Sequence, residues 1–156
     1  MGVPLCEDFF QLSSEAMKKI VSTSEAPAAI GPYSQAIRSG SMLFCAGQIP
    51  LDPSTGQIVS DDVGEQTRRV LENIAGLLRA EHLSFAHVVK TTIFLTSMGD
   101  FQTVNEIYAT YFRENPPARS TVAVSALPKG AKIEIEVIAD AGESPAGGRT
   151  VGDTSG

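Results

Sequence analysis

Hydrophobic and polar residues recur along this chain with two different periods, and the switches between them mark its elements. Residues 19–23, Lys-Ile-Val-Ser-Thr, read as a short strand, and chain breaks follow at Pro27 and at Gly31-Pro32. Residues 33–39 and Met42–Gln48 are two further strand-like runs, joined through a hairpin turn at Ser39-Gly40-Ser41. Residues 52–56, Asp-Pro-Ser-Thr-Gly, form a loop of turn-favouring types. The period then lengthens. Val63, Val70, Ile74, Leu77 and Leu78 fall on one helical stripe, while Arg68, Arg69, Glu72 and Arg79 keep to the other side. Asp62 is placed to cap this helix, Glu65 completes a capping-box pair, and the helix runs to about Glu81.

Val88–Leu95 is rich in β-branched residues and reads as a largely buried strand. Ser97 and Asp100 offer a second capping box ahead of an amphipathic helix carrying Phe101, Val104, Tyr108, Tyr111 and Phe112. Pro116-Pro117 closes that segment. A strand over residues 120–124, a turn over 127–130 and a last strand over 131–140 follow. In the last strand Ile133, Ile135 and Val137 face one way, and Lys132, Glu134, Glu136 and Ile138 the other. The order of strands, helix, strand, helix and two strands predicts an α+β sheet with both helices on one face. The other face carries apolar as well as polar residues, which points to a covering partner subunit.

A chain of 156 residues, 42% of them apolar, suits one domain, and no apolar run approaches the ~20 residues of a membrane span. The expected division is an N-terminal extension over residues 1–17, a domain over 18–142 and a disordered small, polar tail over 143–156. Net charge is −6; the first 17 residues contribute −3 and the last 14 contribute −1, so residues 18–142 carry −2. That balance disfavours holding a polyphosphate backbone, and nucleic acid is not an expected partner. The cysteines, Cys6 and Cys45, have no metal-type spacing. Cys45 lies in an apolar run as a small buried hydrophobe, and the N-terminus lacks a secretory pattern, so a reducing, cytoplasmic setting is expected.

Dinucleotide, P-loop and nucleophile-elbow motifs are absent from the sequence, and His82 and His87 lack metal-ligand spacing, so both histidines read as surface or loop residues. Two places remain. Arg119 stands at the entry of a strand just after a rigid break, where its planar fork suits a substrate carboxylate; a surface ion pair is the simpler account. Glu134 and Glu136 share one strand face, where the solvated face of an edge strand explains both, and a glutamate in a cleft would instead move a proton to or from water. Spacing alone does not choose.

The segments Ala26-Pro27-Ala28-Ala29-Ile30-Gly31-Pro32-Tyr33-Ser34-Gln35, Ala46-Gly47-Gln48-Ile49-Pro50 and Val89-Lys90-Thr91-Thr92 are followed by Val104-Asn105-Glu106-Ile107-Tyr108 and Pro117-Ala118-Arg119. Leu127-Pro128-Lys129-Gly130 and Ile133-Glu134-Ile135-Glu136 complete the series. In this order they resemble the YjgF/RidA family over roughly residues 18–140. The resemblance implies a chorismate-mutase-like α+β fold, a mixed β-sheet with two helices on one face, assembled as a homotrimer with clefts between subunits. It implies cofactor-independent and metal-independent deamination of small 2-imino and 2-enamino acids, such as 2-aminoacrylate and 2-aminocrotonate, to 2-keto acids and ammonia. By the same resemblance Arg119 clamps the substrate carboxylate and Glu134 handles the catalytic water, while Tyr33, Gly47, Asn105 and Thr121 bind substrate, Thr121 through its backbone.

One position departs from the family pattern. Ala46 stands where many members carry serine, which removes a hydroxyl available to substrate or water. The reaction itself asks little of the protein: a protonated imine carbon is already electrophilic, so water needs positioning and modest proton transfer, with no covalent nucleophile. Two rivals belong to other classes. A non-enzymatic carboxylate-binding or partner-binding module would bind 2-keto acids without hydrolysing imines. An endoribonuclease would need a basic strip that the acidic balance does not supply.

Overall fold

The computed structural model describes residues 18–142; the expected extension over 1–17, with Cys6, and the expected tail over 143–156 lie outside the described residues. The strands are β1 (Lys19–Val21), β2 (Ala36–Ser39), β3 (Met42–Gln48), β4 (Val88–Leu95), β5 (Ala118–Ala123) and β6 (Ile133–Asp140). The helices are α1 (Val63–Ala80), between β3 and β4, and α2 (Phe101–Tyr111), between β4 and β5. All six strands form one sheet in the order β1-β2-β3-β6-β4-β5. Only β4 and β5 run parallel; the other neighbouring pairs are antiparallel, so the sheet is mixed and the class α+β.

The expected edge-strand placement of Glu134 and Glu136 is corrected by this order. β6 lies in the middle, between β3 and β4, and the edges are β1 and β5. Ile133, Ile135, Val137 and Ala139 are fully buried on one side of β6, a row that needs covering strands as well as covering helices. β2 begins at Ala36 rather than Tyr33, because the Tyr33 N–H turns back to the Gly31 carbonyl at 2.9 Å. Gly31 has φ 128°, a conformation that suits a residue without Cβ.

The helix starts follow the sequence in part. The Asp62 side chain accepts the Glu65 N–H at 2.9 Å, but the Asp62 N–H goes to Ser60 Oγ at 3.0 Å, so Glu65 does not reciprocate. Ser97 accepts the Gly99 N–H at 3.2 Å in a short 3-10 turn, and α2 begins after it at Phe101 without an Asp100 capping bond. The reciprocal arrangement appears instead at Ser84, whose N–H donates to His87 Nδ1 at 3.1 Å. His87 thus has a local structural role.

Val70, Leu71, Ile74, Leu77 and Leu78 of α1 pack with Leu43, Ile135 and Val137 in the core. Burying each large aliphatic side chain is worth about 1.5–3 kcal/mol. Polar residues missed by the apolar stripe are also buried on α1. Gln66 Oε1 accepts the Lys132 N–H at 2.9 Å, and Asn73 Nδ2 donates to the Leu51 carbonyl at 2.9 Å. They stitch α1 to loops that would otherwise bury unpaired backbone groups. Cys45 is buried, and burial pushes its thiol up to about 12, so it behaves as an inert hydrophobe.

Both helices lie on one face of the sheet. On the other, Ile20, Ile37, Phe44 and Ile138 stand opposite one another across four strands, and Phe94 pairs with Val122 near the far edge. Phe44 and Val122 remain 45% and 44% exposed. No helix among the described residues is long and apolar enough to cross a membrane.

Candidate functional site

Arg119 enters the site through strand pairing. It stands opposite Thr91, which stands opposite buried Val137, so all three point to the helix side of the sheet. There α2 presents Phe101, Asn105 and Tyr108, spaced to share one helical face. Arg119 Nη1 donates to Asn105 Oδ1 at 2.8 Å. Its guanidinium carbon lies 4.9 Å from the centre of the Tyr108 ring and 5.7 Å from that of Phe101, a cation–π arrangement. Tyr108 is held in turn by a 2.8 Å hydrogen bond between its hydroxyl and that of Thr91. Burial pushes the Tyr108 phenol upward against the opposing influence of Thr91 and the Arg119 charge, so it stays neutral at physiological pH.

The simpler reading of Arg119 as a surface ion pair is not what the fold contains: among the described residues it pairs with no carboxylate. Its charge is oriented by neutral partners and left uncompensated at a cleft lined by Asn105, Tyr108, Ala109, Pro116 and Pro117. An exposed, pre-oriented guanidinium of this kind suits a carboxylate. Thr121, two residues along on the same side of β5, has a buried Oγ1 with no hydrogen-bond partner among the described residues.

The second group gathers around Gly47. Cys45 pairs with Val137 and Gln48 with Ile135, so Ala46 and Gly47 together oppose Glu136 alone: a β-bulge. Glu134 leans into the space this leaves. A Cβ on Gly47 would overlap the Glu134 carboxylate, so the close approach requires glycine. Glu134 is half-buried and Glu136 exposed, a difference that strand alternation does not predict. Burial first, and the Glu136 charge second, raise the Glu134 carboxyl above its ordinary range. Gly47 also lines a cavity of about 300 Å³, whose walls include Ile30, Tyr33, Gln35, Leu51 and Pro128. Among the described residues no cluster of three or more His, Cys, Asp or Glu is placed to hold a metal ion.

The fold therefore brings Arg119, Asn105 and Thr121 together on the helix side, and elsewhere sets Gly47 beside both the Glu134 carboxylate and the cavity wall that carries Tyr33. It does not unite the two groups within one chain. Arg119 shares the helix face with Val137, whereas Glu134, an odd number of residues away on β6, lies on the opposite face. Tyr108 and Phe101 were legible only as a core stripe; nothing in their spacing indicates that they also carry a guanidinium.

Residues 23–141 match the family model described as Endoribonuclease L-PSP. The chain belongs to this family, the YjgF/RidA family. Protein DfrA of Myxococcus xanthus is 55% identical over 124 residues, 78% of this chain and 95% of that protein. The 2-iminobutanoate/2-iminopropanoate deaminase of Rattus norvegicus is 51% identical over 126 residues, 81% of this chain and 92% of that protein. Among solved structures, E. coli TdcF with bound serine superposes with a TM-score of 0.75 at 47% identity, covering 78% of this chain and 98% of TdcF. The two-helix, six-strand architecture is that of YjgF/RidA structures.

Proposed function

We propose that this YjgF/RidA protein hydrolyses reactive enamine/imine acids, the 2-aminoacrylate/2-iminopropanoate and 2-aminocrotonate/2-iminobutanoate pairs, to 2-keto acids and ammonia. The observation that carries the reading is the Arg119 guanidinium, oriented by Asn105 and Tyr108 and paired with no carboxylate among the described residues. Relatives about half identical are named imine deaminases, and TdcF holds serine, an amino acid whose carboxylate presents the same recognition problem.

The chemistry follows from the two groups. Arg119 binds the carboxylate and thereby fixes the adjacent C=N carbon. Water adds to the carbon of the protonated imine while Glu134 takes a proton from it, giving a carbinolamine. Glu134 then returns that proton to nitrogen, the C–N bond breaks, and ammonia leaves with the bonding pair. The remaining hydroxyl gives its proton to the departing ammonia or bulk water as the carbonyl forms, leaving Glu134 ionised as at the start. A carboxyl raised by burial suits both the taking and the giving. Thr121, Asn105, Gly47 and Tyr33 complete the proposed substrate contacts.

The working form is a homotrimer with its clefts between subunits. Arg119 and Glu134 lie on opposite faces of one sheet, and the exposed apolar row through Phe44 offers the covering surface. Sedimentation equilibrium is expected to give three times the chain mass, and a fully active monomer contradicts the assembly. Freshly generated 2-aminoacrylate tests the reaction. Arg119→Ala is expected to lower kcat/KM roughly 10²–10⁴-fold with the trimer intact, the worth of two charged hydrogen bonds. Unchanged turnover rejects the assignment.

A further inference from the structure

The loop from Thr23 to Ser34 supplies Pro27, Ala28, Ile30 and Tyr33 to the cavity wall. Its own bracing is slight: Tyr33 N–H to the Gly31 carbonyl at 2.9 Å, Ile30 N–H to Tyr33 Oη at 3.3 Å, and Glu25 N–H to Thr23 Oγ1 at 3.2 Å. A segment so sparsely bonded keeps its shape through outside contacts. Those contacts converge on Gln35, whose side chain is buried with only 5% of the residue exposed. Gln35 Oε1 accepts the Thr23 N–H at 2.7 Å. Gln35 Nε2 donates to the carbonyls of Pro27 at 2.7 Å, Thr23 at 3.0 Å and Ala26 at 3.2 Å. Two amide hydrogens serve three carbonyls, so the donor capacity of the carboxamide is spent on this loop.

The main chain of Gln35 faces the other way. Its carbonyl accepts the Ala46 N–H at 2.9 Å, beside Gly47 and therefore beside Glu134. One residue thus ties the Tyr33 loop to the bulge. On its outer side the loop is seated on α1, where a Cβ at Gly76 would lie 2.6 Å from the Glu25 carbonyl oxygen and Arg79 pairs with Glu25 at 3.1 Å.

We propose that Gln35 is a positioning residue of the deamination site: through its carboxamide it sets the separation between the Tyr33 loop and the Gly47 bulge, and with it substrate affinity. The inference rests on the deaminase reading. Arg119 and Glu134 belong to β5 and β6, so loosening the loop widens the cavity while leaving the reacting groups in place. Binding falls more than the chemical step.

The test uses the full chain with Gln35→Glu, which sets a carboxylate oxygen against three carbonyls, and Gln35→Met, which removes the hydrogen bonds at similar volume. The expected signature is a KM raised about tenfold with kcat within about threefold, together with affinity for 2-oxobutanoate weakened about tenfold by calorimetry. Amides of residues 28–34 exchange faster. Glu81→Gln, which loosens the ties from α1 to Lys19 and Arg38, serves as the control: thermal stability drops with KM unchanged. Gln35 variants that lose stability with unchanged KM and keto-acid affinity overturn the proposal. Should they fail to fold, Gly76→Ala displaces the same loop from the helix side. Weakened keto-acid affinity there supports the proposal and unchanged affinity overturns it. A wild-type protein that binds 2-oxobutanoate yet hydrolyses no imine rejects the deaminase reading alone, and the calorimetric comparison still decides the role of Gln35.

Discussion

The Arg119 corner and the Gly47 wall solve the problem of holding a reactive group in different ways. Arg119 sits between two regular elements, exposed, and is oriented from one side by an aromatic ring and an amide. Around Gly47 the backbone is irregular: a bulge, a loop and a glycine whose missing side chain is filled by a carboxylate. A guanidinium stays charged anywhere, so the first corner needs only direction. A carboxylate that exchanges protons needs a shifted affinity for them, which calls for partial burial, and irregular backbone makes room for it in the middle of a sheet.

That contrast can be broken or sharpened by substitution. The largest expected effect is at Glu134: Glu134→Gln lowers kcat by about 10²-fold, the low end for proton transfer on a labile imine, while Glu136→Gln costs only a few-fold. The comparison is made at equal rates of imine generation on variants that keep the wild-type assembly state, and a worse Glu136→Gln moves the water-handling role from Glu134 to Glu136. Next comes Gly47→Ala. The obstructing atoms belong to the end of a flexible side chain, so Glu134 moves aside. Activity is expected to fall about tenfold with the melting temperature nearly unchanged. A large loss of stability instead would make the bulge a packing feature rather than a functional one. The smallest effect is on pH. The Glu136 charge helps raise the Glu134 carboxyl, so Glu136→Gln lets Glu134 ionise at lower pH. The acidic limb of the kcat profile then moves to lower pH, and a shift the other way means that Glu136 acts on another group.

Much of the fold was legible. The stripe of α1, the hairpin at Gly40 and the alternation of β6 follow from residues within a few positions of one another. The motifs that resemble the family also pointed to Arg119, Asn105, Gly47 and Glu134, which the fold arranges as two groups. The rest depended on distant partners. Gln66 and Asn73 look like surface positions until their carbonyl and N–H partners arrive from loops far along the chain. Tyr108 looks like core until β5 lays a guanidinium over it.

By itself the sequence determined which elements form, because helix and strand periods and turns are settled by neighbours along the chain, while their exact ends and caps were not. It also determined which residue types were on hand for the proposed carboxylate binding and proton transfer. The tertiary structure decided where they stand. Glu134 and Glu136 are equivalent by alternation and become different in the fold, where Glu134 leans against Gly47 of the β3 bulge and stands opposite Phe94, while Glu136 stands opposite Thr92. β6 reads as an edge strand until β3 and β4 flank it. Strand order, register and face are set by contacts between residues tens of positions apart, and no local pattern carries their energies.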